Sequence, residues 1–139
     1  MRSKDPTVAL LRCLPTLGGY PDNELANLAA LLDPLTVEPG TILMEEGGHA
    51  TDVFIIVEGL AVVSRRGRPV AKLGPGEFLS EMGVLDLASR SARVVAETRM
   101  RLLKTDARRF FTLADHAGIA RALAIALAKR LRFAEAASG

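Results

Sequence analysis

The rhythm of apolar positions changes twice along this chain of 139 residues. Pro6 to Leu14 reads as a short helix, and a second helix begins at Pro21 and Asp22, with Leu25, Leu28, Ala29 and Leu32 on one stripe. Asp33-Pro34 is expected to end it, because the residue before a proline is pushed out of the helical region. From Leu35 to Thr105 the pattern turns to β. Thr36-Val37, Ile42 to Met44, Val53 to Val57, Leu60 to Ser64, Val70 to Leu73, Ala92 to Ala96 and Met100 to Lys104 are short apolar runs separated by Gly, Pro or charged turns, the spacing of a sandwich or barrel.

Glu58-Gly59 reads as a tight turn or bulge and Arg66-Gly67 as a hairpin tip, since glycine supplies the positive φ that such turns need; two hairpins of a roll follow. After Thr105 the helical period returns. Ala107 to Leu113 predicts a short helix, and Gly118 to Ala136 a longer one with Ile119, Leu123, Leu127 and Leu131 four apart. That stripe must be buried against something, either the core or a second copy of the chain. No internal repeat or low-complexity linker interrupts the pattern, so one domain over residues 1–139 is expected: helices over 1–34, a β-roll over 35–105 and helices over 106–137.

Composition narrows the class. A chain of this length removes roughly two-thirds of its unfolded surface from water on folding, and its core must be aliphatic, for there is no Trp, one Tyr and five Phe. A formal charge of +2 does not by itself point to nucleic acid, and Arg65, Arg66 and Arg68 gather around Gly67 in what reads as a solvated turn. One cysteine, Cys13, allows no internal disulfide, and no His/Cys set has metal-ligand spacing; a reducing cytoplasm is expected. His49 and His116 each lack a neighbouring His or Cys in sequence and are given no chemical role. No secretory signal pattern is visible, and no charge-free apolar run reaches on the order of 18 residues, so no membrane association is expected.

The richest stretch is GEFLSEMGVLDLASRSARVVA, Gly76 to Ala96. It sets a carboxylate, Glu81, at a predicted helix start and a guanidinium, Arg90, nine positions later at the mouth of a strand. Arginine's fork of donors matches two phosphate oxygens, and the free amides of a helix start add a second anion-stabilising element. The pair therefore suits a ligand with one phosphate and one sugar hydroxyl. This segment resembles the phosphate-binding cassette of the cyclic nucleotide-binding domain family, taken here as 76–92, and Pro39 to Val63 is similar to the same family's strands, with Pro39, Gly40, Gly47 and Gly59 in matching places.

That resemblance covers roughly Asp33 to Arg130 and implies an antiparallel β-roll of the jelly-roll kind, with N-terminal helices and a long C-terminal helix. It also implies a regulatory module that binds a cyclic nucleotide, requires no other cofactor, catalyses nothing and signals through its C-terminal helix to an effector protein. By alignment with the family, Arg90 meets the phosphate with the Met82 and Gly83 amides, Glu81 accepts the ribose 2′-hydroxyl, and the base lies against Val63, Val70 and Leu73. Arg130 occupies the place of a ligand-contacting arginine, and Phe133 is a candidate lid. Ser91 follows the phosphate arginine where threonine in this family favours cGMP, which points to cAMP. The chain stops at Gly139 without the helix-turn-helix of the family's transcription factors, so direct DNA binding is not expected.

One departure stands out. Where the family has glycine before the glutamate, this chain has Ser80, a favoured N-cap whose oxygen accepts from the amides two or three residues on. Those are the amides the phosphate needs. The alternative reading is accordingly a degenerate fold that binds no nucleotide and serves for dimerisation, through Ile119 to Leu131, or for interaction.

Overall fold

The computed structural model describes residues 6–14, 17–45, 52–80 and 92–121. Eight strands form two four-stranded antiparallel sheets: β1 (Asp33–Val37), β2 (Ile42–Met44), β3 (Asp52–Glu58), β4 (Ala61–Arg65), β5 (Arg68–Leu73), β6 (Phe78–Ser80), β7 (Arg93–Ala96) and β8 (Met100–Asp106). One sheet runs β1-β8-β3-β6 and the other β2-β7-β4-β5. Helices α1 (Pro6–Arg12), α2 (Asp22–Ala29) and α3 (Ala107–Ala114) belong to a third layer, packed on the outer face of the β1-β8-β3-β6 sheet.

Strand β3 shows why. Its sequence DVFIIVE is apolar without alternation because both of its faces are covered. Val53, Ile55 and Val57 join Phe78 and Leu103 beneath the helices, against Leu10, Leu11, Leu25, Leu28, Phe110 and Leu113. Phe54 and Ile56 point the other way, into a core between the sheets with Val63, Leu73, Leu79, Val94, Met100 and Leu102. Proline, which cannot donate to a ladder, stands only where it is tolerated: Pro34 in β1 and Pro69 in β5, each at the edge of its sheet.

The two sheets are a folded ribbon. Strands β3 and β8 pair in one sheet, and β4 and β7, their continuations, pair in the other, from Asp52↔Asp106 through to Ser64↔Arg93. The ribbon bends where residues 59–60 face 97–99. There the Leu60 amide donates to Thr98 Oγ1 at 3.0 Å, and the Leu60 carbonyl accepts from the Glu97 amide at 2.8 Å. Gly59 has φ of 100°, and a Cβ on it would lie 2.5 Å from the Arg99 carbonyl oxygen and 2.9 Å from Met100 Cα. Only glycine fits that contact. The β1 to β2 and β5 to β6 connections also change sheet, at Gly40 and Gly76, both with positive φ.

Several expectations shift in detail. The second helix ends at Ala29, and Asp33-Pro34 opens β1 rather than merely closing the helix. Of these two turns Arg66-Gly67 closes a hairpin, between β4 and β5, whereas the Glu58-Gly59 break is a bulged change of sheet, since a register shift lies between Ile56 and Glu58. Phe78–Ser80, expected as part of the cassette, forms the edge strand β6. Helical residues 117–121 begin the predicted C-terminal helix, with Ile119 fully buried in the helix-layer core, whereas Leu123, Leu127 and Leu131 lie outside the described residues.

Strand β8 passes into α3 through Asp106, whose Oδ1 accepts from the Arg109 amide at 2.9 Å. Arg109 pairs with Asp106 and, at 3.4 Å, with Asp33 at the start of β1. The Arg109 amide, followed by the cations of Arg109 and Arg108, holds the Asp106 carboxyl below its ordinary value of 3.8. A carboxylate whose pKa is lowered by folding contributes stability above its unfolded value and loses that contribution as pH falls through the folded one. Asp106→Asn keeps a capping oxygen but does not titrate, so urea denaturation should show the gap between wild type and variant closing as pH drops below about 4; a gap independent of pH would contradict this. Gly59→Ala should lower stability by about 2 to 4 kcal/mol from backbone strain plus overlap. Gly40→Ala, with nothing within 4 Å of the added carbon, meets the strain alone and should lose only about 1 to 2 kcal/mol by the same measurement.

Candidate functional site

The β4–β5 hairpin builds the wall expected to face a base. Val63 pairs opposite Ala71, and Ala61 opposite Leu73, so Val63 and Leu73 lie diagonally on neighbouring strands, facing the inter-sheet core. Between Val63 and Ser64 the register jumps, Ser64 pairing with Pro69, which leaves Val70 as an extra residue in β5. Both Val70 and Ala71 consequently pack against the same core instead of alternating. The three expected wall residues are brought together, but unequally: Val63 and Leu73 are each 6% exposed and belong as much to the core as to a surface, while Val70 is half-buried and keeps an open side.

The described residues on both sides of the segment expected to be the cassette are paired in the sheets. Ser80 ends β6, paired opposite Val53 of β3, and Leu79 before it is fully buried between the sheets. On the far side Ala92 is buried in the same core, Arg93 pairs opposite Ser64, and Val94 opposite Val63. Residues 81–91 thus join the edge of one sheet to a strand that lies directly beside the Val63 wall in the other. Glu81, Met82, Gly83, Arg90 and Ser91 fall within that segment, outside the described residues, as do Arg130 and Phe133. Arg93 forms an ion pair with Glu45 at 3.3 Å, which ties the exit of the cassette to the end of β2.

One arrangement had no signal in the sequence. His116 Nδ1 accepts from the Gly118 amide at 3.0 Å, which leaves the proton on Nε2, 3.2 Å from the Glu24 carboxylate on α2. The Tyr20 ring lies against the imidazole, with centroids 4.8 Å apart. His116 therefore fastens the start of helical residues 117–121 to the N-terminal helices, a structural part rather than a chemical one. Its partners sit about 90 positions upstream, beyond the reach of local pattern.

Among the described residues no group of three His, Cys, Asp or Glu side chains is placed to hold a metal ion, and no helix is long and apolar enough to cross a membrane. An open groove beside Val8, Ala9, Arg12 and Cys13 lies in the helix layer, on the other side of the β1-β8-β3-β6 sheet from the Val63 wall.

Comparison with known proteins agrees with this geometry. A family model for the cyclic nucleotide-binding domain matches residues 34–117, from β1 to the first turn of the C-terminal helical segment. A cAMP-dependent protein kinase regulatory subunit of Yarrowia lipolytica is 38% identical over 92 residues, which are 64% of this chain and 24% of that protein. Among solved structures, a cAMP-binding acyltransferase from Mycobacterium smegmatis superposes with a TM-score of 0.68 at 30% identity, over 84% of this chain and 38% of that one. The catabolite activator protein of Thermus thermophilus gives 0.64 at 28% identity, over 87% of this chain and 60% of that one. The chain spans about a quarter of the kinase subunit's length.

Proposed function

Because the chain belongs to the cyclic nucleotide-binding domain family, we propose that it is a regulatory module that binds cAMP in preference to cGMP and passes its occupancy on through the C-terminal helix. What supports this reading is the family match over residues 34–117, together with the described ends of the segment that holds Glu81 and Arg90: Ser80 closes β6, and Arg93 opens β7 next to Val94, which pairs opposite Val63.

A cyclic nucleotide keeps one negative charge at neutral pH, and that charge needs compensation on leaving water. In this reading Arg90 supplies it as a bidentate donor, and the Met82 and Gly83 amides take the remaining phosphate oxygens. Glu81 accepts the ribose 2′-hydroxyl, so 2′-deoxy analogues bind poorly. The base rests on Val70, with Val63 and Leu73 behind it, and Arg130 and Phe133 close over it. Ser91 favours cAMP, as does the kinship with a regulatory subunit of a cAMP-dependent kinase and with a cAMP-binding acyltransferase. Exchange of the base-side contact shifts the helix only if the nucleotide has unequal affinity for its two positions.

The role is binding and signalling without catalysis, in the cytoplasm, where an exposed free thiol such as Cys13 is at home. The listener is an effector protein. A homodimer through the Leu123, Leu127 and Leu131 stripe is the companion proposal, and neither nucleic acid nor membrane is a partner in it.

Ser80 favours a second reading. It closes β6 directly before Glu81, and in this second reading a serine in that place competes for the amides the phosphate requires. A chain in which that competition wins keeps the fold as an interaction or dimerisation domain. Calorimetric titration separates the two. Ser80→Gly should tighten cAMP binding relative to wild type, and unchanged or weaker binding would remove the competition. Arg90→Ala should cost roughly 2 to 5 kcal/mol of binding; retained affinity would exclude the site. Saturating cAMP at about 100 times its Kd should raise unfolding free energy by about 2.7 kcal/mol, and no shift with any cyclic nucleotide would favour the second reading.

A further inference from the structure

We infer that the tip of the β4–β5 hairpin is a docking point for a carboxylate-rich segment of a partner protein, held by Arg65 and Arg68. Three observations meet there. Arg65 and Arg68 are paired directly across the strands, and like charges in that register repel. Arg66 between them is the one described non-glycine residue with positive φ, 55°, in a two-residue turn that glycine, asparagine or aspartate would fill with less strain. Both features oppose folding, and residues held at such conformations cluster at functional sites.

The third observation is selective pairing. Five other described cations on the strands and turns of the two sheets have a carboxylate within 4 Å: Lys72 with Glu97, Arg93 with Glu45, Arg99 with Glu38, Arg101 with Glu58 and Lys104 with Asp52. Among the described residues Arg65 and Arg68 have no such partner, and both are exposed. Against those five pairs, Arg65 and Arg68 stand opposite each other at one tip.

The chemistry of the occupant follows from the shape. Adjacent forks suit two carboxylates on an extended segment, each bound bidentately. Pro69 beside Arg68 lacks the amide that an added strand would need, so side chains rather than backbone pairing carry the contact. The tip is too small a basic surface for duplex DNA, whose binders neutralise many phosphates, and its neighbours Ser64, Gly67 and Pro69 offer no aromatic or aliphatic wedge for a bilayer.

Anisotropy of a fluorescein-labelled hexaglutamate peptide at low ionic strength tests this on the full chain. Saturable binding is expected, about tenfold weaker in Arg65→Ser/Arg68→Ser and unchanged in Lys72→Ser, which alters net charge at an already paired site. Arg66→Gly should melt higher than wild type, as relief of the turn requires, which also secures a folded comparison variant. Absence of binding to wild type, or equal loss in the double variant and in Lys72→Ser, overturns the proposal. So does tighter, Arg65- and Arg68-dependent binding of phosphatidylserine vesicles or of single-stranded DNA.

Discussion

The fold turns on one close approach. At Gly59 the chain leaves one sheet for the other while its antiparallel partner makes the same change at residues 97–99, and the two backbones come within a distance that leaves no room for a Cβ. Leu60 and Thr98 then bond across the bend. This corner makes a single long ribbon serve as the centre of both sheets. It also fixes how far β4 stands from β3, and therefore where the Val63 wall lies relative to β6, from which the cassette departs.

Each layer then has its own task. The core between the sheets, built on Phe54, Ile56, Leu79, Val94 and Leu102, holds both ends of the cassette. The core beneath the helices, built on Val53, Ile55, Phe78 and Leu103, holds the helices that come before and after the roll. Phe110 meets Phe78 edge to face, and Ile119 reaches the same core as Leu17. A bound nucleotide would act on the first core and a moving C-terminal helix on the second. Strands β3, β6 and β8 each give side chains to both cores.

Much of this was legible in the sequence because the signals are local. The apolar runs gave seven of the strands to within a few residues, the Arg66-Gly67 dipeptide gave its hairpin, and the cassette gave the family. What escaped notice depended on distant partners. Phe78–Ser80 is too short to show a period and becomes a strand only because Val53–Ile55 offers it an edge. The Val70 bulge is a property of pairing, invisible in one strand alone. His116 looked idle because Glu24 and Tyr20 are far away in the chain. The cassette residues are the reverse case, legible in sequence and lying outside the described residues.

The proposed regulation requires first that a cyclic nucleotide sit between segment 81–91 and the Val63 wall. An amide NMR titration of the isotopically labelled chain with cAMP observes that contact most directly. Saturable shifts concentrated at Val63, Val70, Leu73 and residues 80–92, followed by shifts beyond Ile119, are the predicted result. Spectra that stay unchanged at millimolar nucleotide, or shifts confined to the helix layer, would contradict it.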